Sequence, residues 1–396
     1  MKDREKMISA EVDRLFPEMV RMSRAIHGHP ELANEERESS ALLANFLKTN
    51  GFAVELGVGS LKTAFRAMKG DTPSPAVAFL SEYDALPGIG HACGHNLIAA
   101  AGVGAGAALA SVLTGAEGRV YVVGTPAEEM CGGKIRMIEE GAFEGMDAAM
   151  MFHPSVRNAA VKRTLSMTEL RVTYHGKTSH AAAAPELGVN ALDAMIVAFS
   201  AVNALRQQTP EDARIHGIIT HGGDAVNVIP NRTEARIAVR ALEVVTMKDL
   251  LARVEACLQG AAQATGCGCD IEVAGPVYEG MVPNYTLADI FQKHMASLGI
   301  VLDDTDETGY IGSSDIGNLS RVIPAIHPEL TIAGYESLPH TAGFAEASKT
   351  EPAENVMKSA AKALALTGLA VLTDSKVRGR MQREFKEAMA GAGRRP

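Results

Sequence analysis

The chain has no excess of positive charge, no framework of cysteines and no long apolar run, and each absence narrows what it can be. Lys and Arg number 38 against 47 Asp and Glu, a net charge of -9. A nucleic-acid or anionic-membrane surface is therefore not expected, and the basic stretches at 378–383 and Arg394-Arg395 are too short to reverse that. Five cysteines are an odd count at scattered spacing. Cys131, Cys257, Cys267 and Cys269 read as thiols, and Cys267-Gly-Cys269, with no second Cys or His pair nearby, reads as loop and strand. No apolar run reaches the roughly 20 residues that span a bilayer, the nearest being the Gly- and Ala-rich 97–113. The opening M-K-D-R-E-K begins a charged amphipathic helix instead of a secretory signal. Internal repeats and low-complexity linkers are missing as well. The expectation is a cytoplasmic protein whose partner is a small molecule, neither nucleic acid nor membrane.

What is present begins with length. A chain of 396 residues, 46% hydrophobic and 21% charged, exceeds what one hydrophobic core usually serves, so two domains are expected. Helical spacing of Val12, Leu15, Phe16, Met19, Met22 and Ile26 predicts a helix over 11–28, with a second over 36–50. Apolar strands follow at 76–81, 119–124 and 146–152, with a closely packing helix at 99–113. This alternation indicates an α/β sheet flanked by helices, with its chemistry at the strand ends. From about Ser166 the texture changes. Strands at 168–174, 214–220, 232–242 and 269–273 and helices at 187–208 and 247–265 read β-α-β-β-α-β, a ferredoxin-like α+β insert. The chain then resumes α/β character and carries His340. The expected layout is a discontinuous catalytic domain (1–166 and 276–396) built on a mixed sheet, interrupted by an insert at 167–275.

The chemistry concentrates in a few places. His91 to Asn96, H-A-C-G-H-N, places the Cys93 thiol and the His95 imidazole two residues apart after a strand, and both are good ligands for borderline metals such as Zn²⁺. Taken alone, that pair is also what a buried Cys beside a loop His looks like. Glu128-Glu129 in T-P-A-E-E is more telling. Neighbouring carboxylates in a turn repel unless one binds a cation and the other holds or shares a proton, although a solvated acidic turn is the plain alternative. His153 in M-F-H-P and His340 in L-P-H-T-A-G-F complete a set whose joint occurrence points to two metals. Carboxylate and imidazole ligands widen the metal choice to Mn²⁺.

Taken in order, H-A-C-G-H-N, T-P-A-E-E, F-H-P, G-K-T-S-H-A, N-V-I-P-N and L-P-H-T-A-G-F resemble the dinuclear metallohydrolase family (peptidase family M20) of aminoacylases, glutamate carboxypeptidases, and hippurate and auxin-conjugate amidohydrolases. The resemblance runs from I-H-G-H-P-E-L at Ile26 to the final helix. G-H-A-C-G-H-N and S-S-D-I-G-N-L-S at Ser313 are most similar to the p-aminobenzoyl-glutamate hydrolase and dipeptidase-like branch. It implies that Cys93 bridges two divalent ions (Mn²⁺ or Zn²⁺), that His95, Glu129, His153 and His340 complete their ligands, and that Glu128 is the general base. It further implies that Asp84 orients a ligand, that His180 on the insert reaches into the partner subunit's site to polarise the substrate carbonyl, and that Asn227 and Arg240 hold the substrate's carboxylate. A homodimer or higher homo-oligomer built through the insert follows. The chain departs from many relatives in having Asn96 for Asp and Met130-Cys131 for Gly-Gly.

The activity so implied is cleavage of a C–N amide bond in a small acylated amino acid, dipeptide or aminobenzoyl-type substrate with a free carboxylate. Two cations lower the pKa of a shared water to around 7, and Glu128 takes its proton and returns it to the leaving nitrogen. Two alternatives stand beside it. One is an aminohydrolase that releases ammonia from an activated aromatic amine by the same chemistry; the other is a metal-stabilised binding protein that has lost catalysis. Retention of an unliganded base at Glu128 argues against the second.

Overall fold

The computed structural model describes residues 2–114, 117–303 and 312–391; the Arg394-Arg395 end lies outside them. The chain divides into two compact units, one from the segments up to Arg163 and from Met281 onward, the other from Thr164–Gly280 together with Ser313.

In the first unit, helix α1 (Lys2–Gly28) buries Ile8, Val12, Leu15, Met19, Met22 and Ile26. It starts well before residue 11 because the apolar stripe extends back to Ile8. Helix α2 (Arg37–Thr49) follows. The hairpin of β1 (Ala53–Leu56) and β2 (Phe65–Lys69) was not expected; β1 is short and largely exposed, so its residues carry almost no periodic signal. Then come β3 (Ala76–Ser81), α3 (His95–Val112), β4 (Arg119–Gly124), α4 (Glu128–Cys131), α5 (Gly133–Glu139), β5 (Ala148–Met150) and β6 (His153–Ser155).

The second unit is β7 (Ser166–His175), α6 (Ala191–Leu205), β8 (Arg214–His221), β9 (Arg232–Ala241), α7 (Val244–Thr265) and β10 (Gly268–Val273). Its strand order is β10-β7-β9-β8, antiparallel throughout. Leu170, Val172 and Tyr174 alternate with exposed or half-buried neighbours on β7, and with Ala235, Ile237 and Val239 of β9 they form a face that packs under α6 and α7. This is the ferredoxin-like arrangement. Cys267 and Cys269 are free thiols at the start of its last strand.

The chain returns to the first unit with α8 (Tyr285–Ser297), α9 (Ile316–Leu319), β11 (Ala325–Ile326), β12 (Glu329–Thr331), α10 (Ala342–Ala347), α11 (Glu351–Thr373) and α12 (Ser375–Gly391). Its main sheet runs β1-β2-β4-β3-β5-β11. β4, β3, β5 and β11 are parallel while β2 joins β4 antiparallel, so the sheet is mixed. β6 and β12 form a separate parallel pair. Helices α3 and α11 are long and apolar enough by composition to cross a membrane, but 89% and 67% of these windows are buried, and both pack against β3 and against each other as core helices. α3 lies tight on β4: a Cβ at Gly106 would stand 2.2 Å from Val122 Cγ2. Because β3, β4 and β5 run parallel, their C-terminal ends deliver Glu82–Asp84, Glu128-Glu129 and His153 to one edge of the sheet, where open α/β sheets place ligands.

Candidate metal centre

Local backbone geometry sets out the first donors. Gly94, with φ +75°, is the N-cap of α3 and turns the chain between Cys93 and His95. A Cβ there would meet Pro154 at 2.8 Å as well as the left-handed penalty. Ala127 takes the same region (φ 60°) immediately before Glu128, and His340 does so (φ 66°) while its N–H donates to Ala92 O at 2.9 Å. Three donor segments thus each enter through a left-handed residue, and two of those residues bear a Cβ, a strain that surrounding contacts must hold in place.

The donors converge. Ligand atoms of Cys93, His95 and His153 lie within 4.8 Å of one another, as do those of Cys93, Glu129 and His340, so Cys93 belongs to both triads. His340 Nε2 is 3.0 Å from Cys93 Sγ and 3.6 Å from Glu129 Oε2, and His95 Nε2 is 3.8 Å from Glu129 Oε1. Asp84 organises the pair behind them: it accepts from His95 Nδ1 through both its carbonyl (2.9 Å) and its carboxylate (3.1 Å) and from the Glu129 N–H at 2.9 Å. That leaves His95 Nε2 and Glu129 Oε1 buried without a hydrogen-bond partner. Converging donors with orphaned, buried atoms are what a cation would satisfy.

The electrostatics agree. Burial and the charge of Glu129 push the Cys93 thiol well up. Burial opposes a charge on His95, yet Asp84 overrides it and lifts that imidazole well above its usual range. Burial and Lys162 hold His153 neutral, well below its usual range. Burial, with Glu82, Glu129 and Asp315 nearby, raises the Glu128 carboxyl well above the carboxylate range. Cys93 and His95, two of the donors, hold their protons tightly among lone pairs left unused, and a divalent ion can enter such a set by displacing those protons.

Comparison with known proteins decides the family. Over 391 residues the chain is 42% identical to the Xaa-Arg dipeptidase of Mus musculus, covering 95% of this chain and 90% of that protein. Over 308 residues it is 33% identical to one of the subunits of p-aminobenzoyl-glutamate hydrolase from Escherichia coli, covering 72% and 63%. The chain belongs to the M20 peptidase family. Residues 165–265 match the peptidase dimerisation domain of M20 proteins, and the Bacillus subtilis YXEP protein, described as a dinuclear metal binding peptidase from the M20 family, superposes with TM-score 0.69 at 21% identity, covering 89% of this chain and 98% of that one. As an M20 member the chain is a hydrolase of C–N bonds.

In this M20 chain the Asn96 amide group is engaged outside the donor set. It is buried, and its amide donates to Ser23 Oγ at 2.9 Å and Ser348 O at 3.0 Å. Met130 and Cys131 are exposed. His180, Asn227 and Arg240 belong to the second unit. There His180 bridges to Val228, and the neighbouring Ala181 N–H donates to Asn227 O at 3.0 Å, so both side chains sit on one exposed loop pair. Arg240 on β9 is half-buried, with Nε unpaired and Nη1 3.3 Å from Ser313 Oγ.

Sequence reasoning missed several polar residues around the centre. Glu36 is fully buried and accepts from the Ala127 N–H at 2.8 Å. Burial and the nearby charge of Lys162 hold the His327 imidazole well below its usual range; neither ring nitrogen has a hydrogen-bond partner among the described residues, and the ring lies 5.3 Å edge-on from His153. Glu82, Lys134 and Asp315 form a buried ion cluster. Asp315 stood inside the S-S-D-I-G-N-L-S motif, and for Glu82 the available signal was an acid directly after a fully buried strand. A lysine at the start of a helix carries no such signal.

Proposed function

We propose that this M20 hydrolase is a dinuclear metal-dependent amidohydrolase or peptidase, with Cys93, His95, Glu129, His153 and His340 holding two divalent ions, Mn²⁺ or Zn²⁺. The observation that carries the reading is the sharing of Cys93 by two donor triads whose buried His95 Nε2 and Glu129 Oε1 have no hydrogen-bond partner among the described residues. When bound, the ions supply Lewis acidity, acidifying water and polarising a carbonyl.

The chain's own groups do the rest. Asp84 fixes the His95 ring and the Glu129 backbone, so the ligands are preorganised. Glu128 follows the strained Ala127 and is half-buried among acids; its raised proton affinity suits a general base that takes a proton from water and returns it to the leaving nitrogen. Arg240, with an unpaired buried Nε, and Asn227 would grip the substrate's carboxylate, and His180 would polarise the scissile carbonyl from the partner subunit. Assembly through the second unit is supported by its exposed apolar residues, Ile218 and Ile219 on the edge strand β8 and Ile196 and Val197 on α6. The reaction is proposed to take place in the cytoplasm, with neither nucleic acid nor membrane as partner.

The substrate is a small amide with a free carboxylate, and the likeness to an Xaa-Arg dipeptidase puts dipeptides with a basic C-terminal residue first on an assay panel with acyl-amino acids and aminobenzoyl-glutamate. Purified protein is expected to hold about two divalent ions per chain, to lose activity on chelation and to release an amino acid. Trace metal only, or activity indifferent to chelation, overturns the reading; ammonia release from an aromatic amine would reassign the bond.

A further inference from the structure

Beside the proposed centre lies a second group of acids whose occupant is part of the chain. One oxygen each of Glu82, Glu128 and Asp315 lies within 4.8 Å of the others. The Lys134 ammonium is 2.5 Å from Glu82 Oε1 and 2.7 Å from Asp315 Oδ1, and the Lys134 N–H donates to Asp315 Oδ2 at 2.9 Å. Lys134 and Asp315 are 0% exposed and Glu82 is 1% exposed. Three elements meet here: the end of β3 supplies Glu82, the start of α5 supplies Lys134, and the residue before α9 supplies Asp315. Glu82 Oε2 is also 3.4 Å from His95 Nε2, so the cluster borders the donors directly.

We infer that Lys134 is a positioning residue that fills this three-carboxylate cage with the chain's own cation, keeping divalent ions off Glu128 and confining them to the donors around Cys93. The argument is one of charge and ligand type. Three carboxylates in a buried space require a cation. Three carboxylate oxygens at this spacing are the donor set that hard ions such as Mn²⁺ and Mg²⁺ choose. An ion in the cage would take an oxygen of Glu128, the group proposed to accept a proton. A covalently tethered ammonium satisfies the same acids, cannot be chelated away, and keeps Glu128 from being taken by an ion in the cage. A lysine fixed by two carboxylates and its own backbone N–H has no freedom to leave.

The inference rests on the proposed role of Glu128, and the test separates the two. Full-length wild type and Lys134→Met, which keeps length and removes charge, are loaded with Mn²⁺ and counted by elemental analysis and Mn²⁺ electron paramagnetic resonance. The variant is expected to bind about one more ion per chain than wild type and to lose about tenfold or more in kcat with little change in KM. Adding Glu82→Gln to it should abolish the extra ion. Equal counts in wild type and Lys134→Met overturn the inference, whereas a wild type that binds no ions overturns the dinuclear reading instead. If Lys134→Met is unstable as purified, its Tm is followed against Mn²⁺. The inference requires Mn²⁺ to raise Tm more in Lys134→Met than in Lys134→Met/Glu82→Gln; equal shifts overturn it.

Discussion

At the scale of single residues, the adjacent acids Glu128 and Glu129 separate by environment. Glu129 is anchored at its N–H by Asp84 and stands 3.6 Å from His340 Nε2, a ligand's position, while Glu128, though within reach of His95 and Glu129, also faces the acids Glu82 and Asp315. Glu128→Gln is therefore expected to keep metal and fold while turnover falls by roughly 10² or more, and Glu129→Gln to lower metal content in elemental analysis. The reverse pattern would exchange their roles. Glu329, paired across β12 and β6 with His153, gives a pH prediction. Burial opposes its charge, but Lys162 and Arg157, the latter at 2.5 Å, hold its carboxyl below the usual range. A depressed acid stabilises the fold above its unfolded pKa of about 4.3, and that contribution is lost as pH falls through the folded value. Glu329→Gln should therefore cost on the order of 2 kcal/mol at pH 7, with the gap to wild type closing below about pH 4 in denaturant titrations. An undiminished gap in acid would rule out the ionic origin.

At the scale of elements, the donors depend on how closely α3 lies on the sheet, since His95 is its first residue. Gly106→Ala places a Cβ against Val122 Cγ2 and is expected to destabilise by about 1–3 kcal/mol through overpacking. Urea unfolding measures this; a stability unchanged from wild type would mean that α3 is free to shift. Elements whose apolar period was continuous, such as α1, β3 and β4, were legible in advance, because burial of one face forces that period. The β1–β2 hairpin was not, since its edge strand is mostly exposed and exposure removes the selection for alternation.

At the scale of the whole molecule, the resemblance implied a site completed by His180 from a partner subunit, and the match of 165–265 to a dimerisation domain makes the second unit the place to test it. Mixing inactive His180→Ala with inactive Glu128→Gln should restore about a quarter of wild-type activity at equal ratio, because half the dimers are mixed and each mixed dimer has one intact site. Mixtures shown to contain heterodimers but still dead would place His180 outside the reaction or within its own chain.

The sequence alone determined the layers, the inserted ferredoxin-like unit and the residue types of the centre, because periodicity and donor chemistry are local properties. The resemblance implied a bridging Cys93 and an orienting Asp84; the tertiary structure gathered the donors into two triads sharing Cys93 and set Asp84 behind both His95 and Glu129. It alone placed Lys134 between Glu82 and Asp315. Those relations join residues 52 and 181 positions apart, and a lysine reads as solvated until folding removes the water and sets its ammonium between two carboxylates.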